Sequence, residues 1–262
     1  MSEEKLRLGG MALRNGLLVH GPTHWAAAVR TRDGRIEVAS GRKPSVGDRL
    51  GGLPGVRGVA KLGEALALIP VVKRRLPAAE LPMQDVRTLA AMAGAGLATR
   101  AIRGARGRTA AAETAVALIG VVPALLALRG GDLAAWHGVE HKSIAAYEQD
   151  GEAADAEKEH DRCGSNLVAP MLAGTVVGNV AARRAGLEGR TAEVAVAVGS
   201  MALAVEVFGW SERHAGSALS RALRRPGFEL QRALGTREPT DEQLEVGKAA
   251  LDAILTAEGV PC

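Results

Sequence analysis

Aromatic side chains are scarce in this 262-residue chain: three Trp, two Phe and one Tyr make up 2% of it. So few rings do not build the stacking platform that holds single-stranded nucleic acid. The basic run Arg100, Arg103, Arg106, Arg108 has no aromatic residue beside it, so no nucleic-acid partner is expected. Cysteine is equally rare, and Cys163 and Cys262 alone cannot form a disulfide framework. The opening MSEEKLRLGG has acidic residues and no apolar segment, so no secretory leader is expected and the N-terminus is placed in the cytosol. There is no GxxxxGK[ST], no GxGxxG and no GxSxG, which argues against nucleotide hydrolysis, dinucleotide redox chemistry and serine hydrolysis.

Apolar residues, by contrast, make up 47% of the chain, with 24% charged and a net charge of +4. Their placement is uneven. Fifteen uncharged residues, TAVALIGVVPALLAL, lie between Glu113 and Arg129; Gly164 to Ala182 gives nineteen more, and Val194 to Val205 twelve. A helix that crosses a bilayer needs about 20 such residues. A weaker stretch, Thr88 to Thr99, is mostly Ala and Gly and is read as a hairpin partner. The expected fold is therefore mainly α: a multi-span membrane bundle of three to four hydrophobic helices, a multi-pass protein of the cell membrane whose first partner is the lipid bilayer. The short basic connections, with Arg103, Arg106 and Arg108 and with Arg183, Arg184 and Arg190, fall on one side of it. The segment from Arg129 to Asp161 and the tail fall on the other, which the lysine and arginine balance assigns to the cytosol. Gly174 and Gly178 form a GxxxG that would let two membrane helices approach closely. A homo-oligomer is among the expected partners.

The flanks read as soluble. Trp25 to Ser40 is a β-hairpin pattern around Asp33-Gly34, a pair suited to a type I′ turn. Gly41 to Gly58 reads as a linker and Val59 to Val72 as an amphipathic helix. At the far end Thr240 and Gln243 form a capping box, followed by a stripe of Leu244, Leu251, Ile254 and Leu255. Four regions result: a β unit (1–50), a linker and helix (51–84), the membrane region (85–210) and a helical tail (211–262).

Half of the six histidines lie between the apolar stretch that ends before Arg129 and the one that begins at Gly164. Asp132 as N-cap and Gly151 as stop predict one helix over Leu133 to Gln149. On it His137, Glu140 and His141 share a face. Two imidazoles one turn apart can converge on one ion, and a carboxylate beside them can join them or activate water. H-x-x-E-H is the zinc-protease helix inverted, and on the order of 0.01 chance matches are expected in such a chain. His160 and Cys163 follow at a usable ligand spacing. His20, His24 and His214 are read as ordinary surface or boundary histidines.

Gly9-Gly10-Met11-Ala12, Gly21-Pro22, HGVEHKSIAAYE, HDRCGS and TREPTDEQLEVGKAAL, taken in order, resemble the YqhQ-like proteins that carry the DUF1385 domain. The resemblance implies a multi-span membrane protein dependent on a metal, of unestablished biochemical function. Its signature positions fall on His137, Gly138, Glu140, His141, Lys142, His160, Arg162, Cys163 and Gly164. At Met11, Asn15 and His20 this chain departs from the Gln, Glu and Arg usual there.

Two readings of the metal follow. In the first, Zn2+ or another divalent ion sits on His137 and His141 with Cys163 or Glu206 as third ligand and an open position. Glu140 then takes the proton from water in a hydrolase of unknown substrate. Glu206 stands in an otherwise apolar segment where an unpaired carboxylate is costly, and pairing with Arg213 is its other role. In the second reading His137, His141, His160 and Cys163 close the shell, and the ion staples a membrane scaffold or assembly factor.

Overall fold

The computed structural model describes residues 5–44, 56–106, 109–129, 132–187 and 189–260. Residues 45–55 of the expected linker, Arg108 of the first basic connection, and Cys262 lie outside the described residues.

The N-terminal unit is larger than a hairpin. Four antiparallel strands, β1 (Gly9–Leu13), β2 (Gly16–His20), β3 (His24–Arg30) and β4 (Ile36–Arg42), form a meander in that order. β2 and β3 read as continuous apolar runs, LLV and WAAAV, because both of their faces are covered. One face sends Leu17, Val19, Ala26 and Ala28 into a core with Trp136, Val139, Val246, Ala250 and Ile254. The other packs Leu18, Trp25, Ala27 and Val29 on Leu68, Val72 and Leu76. The expected alternation was therefore the wrong signal for β2, whose apolar residues are consecutive. The β3–β4 turn also differs from type I′. Gly34 is left-handed at φ 84° while Asp33 is not, and the Gly34 N–H donates to the Thr31 carbonyl at 2.9 Å. This is a turn closed by a single left-handed glycine, the three-residue hairpin class.

Eight α-helices follow among the described residues: α1 (Val56–Arg75), α2 (Val86–Arg106), α3 (Ala110–Arg129), α4 (Leu133–Gln149), α5 (Val168–Arg184), α6 (Arg190–Arg213), α7 (Ala218–Leu230) and α8 (Asp241–Glu258). α1 covers one face of the sheet; α4 and α8 cover the other. α8 begins on the expected capping box, with Thr240 accepting from the Gln243 N–H. Its buried seam, however, is Val246, Ala250 and Ile254, and Leu244 and Leu251 lie at the margin.

α2 pairs with α3 and α5 with α6, and the two hairpins meet through α3 and α5. Three of these segments, Ala110–Arg129, Gly164–Arg184 and Arg190–Arg213, are long and apolar enough to cross a membrane. Only 22%, 17% and 11% of their most apolar windows are buried, and Leu118, Val122 and Leu126 of α3 stand exposed at i, i+4, i+8. Facing water, that surface would exceed what soluble monomers tolerate. The GxxxG is used within the chain: a Cβ on Gly178 would lie 2.8 Å from Val196, and one on Gly174 3.3 Å from Ser200, both on α6. α2 is the hairpin partner expected of the weaker stretch, with Val86, Leu89 and Leu97 exposed.

The polar residues that fit an apolar bundle least are gathered at one end of it. The Arg103 guanidinium donates to both Glu113 oxygens (3.1 and 2.8 Å) and to Glu193 (2.9 Å), and Asn179 donates to Glu113 at 2.9 Å. Arg103 closes α2, Glu113 opens α3, Asn179 is near the end of α5 and Glu193 opens α6, so one cluster pins both hairpins. Glu113 is fully buried, so removing its partner strands a buried charge. Arg103→Ala should lower stability in detergent by about 3–5 kcal/mol, and replacing Arg103 and Glu113 together by Met and Leu should restore most of it; thermal unfolding of the two proteins checks this.

Candidate metal centre

α4 spans Leu133–Gln149, the residues expected of it, but its ends are made differently. The Asp132 side chain caps no helix N–H; it accepts from Arg237 at 3.0 Å instead. The stop is Asp150, left-handed at φ 55°, one residue before the glycine expected to do this. The helix is buried on nearly all sides because it lies between the sheet, α8 and the ends of the bundle.

His137 and His141 lie on the α4 face that meets the loop before α5, their ring centroids 4.3 Å apart. Each ring is held from behind. The Nδ1 of His137 lies 2.8 Å from the Gly235 carbonyl and that of His141 2.6 Å from the Lys158 carbonyl. A carbonyl only accepts, so both Nδ1 atoms carry the proton and both Nε2 atoms keep a free lone pair. The Cys163 sulfur sits 3.4 Å from the His137 Nε2, and ligand atoms of His137, His141 and Cys163 all lie within 4.8 Å of one another. Imidazoles oriented by carbonyls are the usual arrangement around a protein-bound metal. A donor set of two neutral nitrogens and one thiol suits zinc and other borderline or soft ions.

The Gly235 carbonyl reaches His137 because the chain between the π-helical turn after α7 and the start of α8 forms a strap along α4. A Cβ on Gly138 would lie 2.4 Å from the Arg237 carbonyl oxygen, so only glycine permits the contact. The Arg237 N–H bonds the Ala134 carbonyl at 2.9 Å, and buried Lys142 pairs with Glu238. The carbonyl behind His141 is held by the 150–163 loop, which Gln231 ties down. Its side chain accepts from the His160 N–H (2.9 Å) and donates to Ser165 (2.9 Å).

Glu140 lines the same cleft and is 8% exposed. Burial raises its pKa, with His137 nearby acting in the opposite direction. Its carboxyl lies against β1, where a Cβ on Gly10 would come within 2.6 Å of it. Burial also pushes the Cys163 thiol up to about 11 and draws His141 down to about 3. In the metal-free protein at neutral pH the His141 imidazole and the Cys163 thiol are therefore uncharged, and an ion binding there must displace the thiol proton.

His160 is near the trio, its ring 5.6 Å from His141, but outside it. Its Nδ1 accepts from the Arg162 N–H at 3.2 Å and its Nε2 faces Glu148 at 3.3 Å, so both ring nitrogens are engaged. Glu206 belongs to α6, is partly buried and is outside both the trio and the residues lining the cleft. His24 is bonded to Thr23 and approaches Glu258, and His214 stacks on Trp210. His20 is the exception among the histidines read as ordinary. It lines the cleft, and burial first, then Lys43, lowers it to about 4. Nothing in its local sequence marks it, because the sheet register alone, with His20 opposite Gly9, carries it there.

The cleft, of about 420 Å3, also takes in Leu128 at the end of α3 and Gly164 and Ser165, with which the second apolar segment begins. The site thus lies where two candidate spans end. Fold and site together define an α-helical protein with three helices apolar enough to cross a membrane, an N-terminal antiparallel sheet and a His-His-Cys group. Residues 131–257 match the family model described as "Protein of unknown function (DUF1385)", a stretch that holds the trio, Glu140, His160 and the strap but not the sheet. No curated protein and no solved structure matches the chain.

Two outcomes follow from this geometry. Gly138→Ala should displace the strap, remove the carbonyl behind His137 and weaken metal binding roughly 10–100-fold, read by competition with a chelator. In metal-stripped protein carrying Cys262→Ser, alkylation of Cys163 should be slow at neutral pH. It should accelerate about tenfold per pH unit toward pH 11, since the thiolate is the reactive form.

Proposed function

We propose that this chain is a membrane-embedded, metal-dependent hydrolase. The observation that carries the proposal is the pair of imidazoles whose Nδ1 protons are fixed on backbone carbonyls and whose Nε2 atoms gather with Cys163 at the wall of a cleft. Three protein ligands and a cleft on the open side suit a catalytic site rather than a structural one. The prior engagement of both His160 nitrogens favours this over the scaffold reading, which needs His160 as the fourth ligand.

A zinc-type ion held by His137, His141 and Cys163 supplies Lewis acidity at the cleft wall. Glu140, one turn from His137 and next to His141 in the chain, accepts a proton from water on its carboxylate and returns it to the leaving group. A carboxyl whose pKa is raised by burial suits both halves of that exchange. Gly10 leaves room for that carboxyl at the edge of the sheet, and the apolar side chains Leu128, Leu133 and Ile144 exclude bulk water. In this reading lipid covers the exposed faces of α3, α5 and α6, and the site lies at the membrane boundary; the distribution of lysine and arginine supports the cytosolic side.

Metal analysis of the purified protein tests this. Wild type should hold about one zinc per chain, His137→Ala and Cys163→Ala should lose it, and His160→Ala should keep it. Glu140→Gln should keep the metal and lose hydrolysis. Wild type without stoichiometric metal would refute the proposal, and loss of metal in His160→Ala would restore the closed structural site.

A further inference from the structure

One wall of the cleft is backbone. Leu8, Gly9, Gly10, Met11 and Ala12 all line it. Successive strand residues point to opposite faces of a sheet, so a cavity above one face would meet every second residue. Four strand residues in a row, Gly9 to Ala12, mean that the cleft runs along the strand's edge. That edge is the outer one, since the order β1-β2-β3-β4 leaves β1 with a single neighbour. Among the described residues, no backbone hydrogen bond reaches Gly9–Leu13 except those of the β1–β2 ladder. Glu140 lies against Gly10, and His137, His141 and Cys163 line the same cleft.

An unpaired strand edge is a template for a further strand. We infer that the substrate is an extended peptide that adds to β1 as a fifth strand and presents an amide to the metal group. The inference rests on the hydrolase reading for its chemistry and on the sheet for its substrate class. Five residues of β1 offer about 17 Å of pairing edge. Leu128, Leu133 and Ile144, which also line the cleft, favour apolar side chains. An alkyl chain laid in the same place would desolvate the N–H and C=O groups of β1 without bonding them, at a cost a peptide does not incur. In the reaction the oxygen of water bonds to the amide carbon and the C–N bond breaks. The proton taken up by Glu140 passes to the departing nitrogen, giving a carboxylic acid and an amine.

The test is amide hydrogen exchange on the full chain in nanodiscs, with zinc content measured first and the protein then chelated so that nothing is cleaved. The probe is an acetylated, amidated pentapeptide of alternating Ala and Leu; its backbone N-methylated form and dodecanoate are the comparisons. At ten times its dissociation constant the peptide should slow exchange of the outward amides of Gly9–Leu13 about tenfold, and the comparisons should not. Equal protection by dodecanoate or by the N-methylated peptide, or none by the pentapeptide, overturns the inference. Protection in a protein that bound no zinc keeps the peptide site and sinks the hydrolase reading; zinc without protection does the reverse.

Discussion

The close approach of the strap to α4 is the constraint on which the candidate centre depends. An imidazole is a useful ligand only when its tautomer and ring plane are fixed, and a backbone carbonyl behind it fixes both. For His137 that carbonyl comes from Gly235, almost a hundred residues away, and reaches its place because Gly138 has no side chain. Two bonds tie the strap to α4, Lys142 to Glu238 and the Arg237 N–H to the Ala134 carbonyl. His141 is served in the same way from the 150–163 loop. Neither carbonyl belongs to α4 itself, so the helix presents two candidate ligands and the rest of the domain decides how they point.

The same economy governs the bundle. Its apolar helices leave most of their surface uncovered, and apart from Glu206 within α6 their charges lie toward the ends. At one end Arg103, Glu113, Glu193 and Asn179 satisfy one another. At the other, α3 and the segment beginning at Gly164 run into the cleft beside the His-His-Cys group. A polar group among apolar helices has to find its partner inside the protein, as the cluster around Glu113 does. The sheet, packed between α1 on one side and α4 and α8 on the other, brings an unpaired edge to the cleft.

Much of this was legible beforehand. The uncharged stretches marked all three candidate spans because length without charge is a one-dimensional property. The bounds of α4 were read correctly from Asp132 and Gly151, although neither residue makes the end expected of it, and the shared face of His137, Glu140 and His141 followed from helical spacing alone. β2 was missed because a strand buried on both faces loses the alternation that identifies it. The Asp33-Gly34 pair located the turn correctly but not its type, since the backbone angle of Asp33 depends on how the flanking strands close.

The sequence by itself determined the elements, the apolar spans and the neighbours on α4, all of which depend on residues within a few turns of one another. Only the tertiary structure decided which ligands converge. Cys163 joined the two histidines, His160 was engaged by Glu148 and Arg162, Glu206 stayed on α6, and His20 entered the cleft through its register with Gly9. The physical reason is that convergence is a matter of distance and direction between elements far apart in the chain. Packing sets these, here through glycines that admit a backbone and carbonyls that turn a ring.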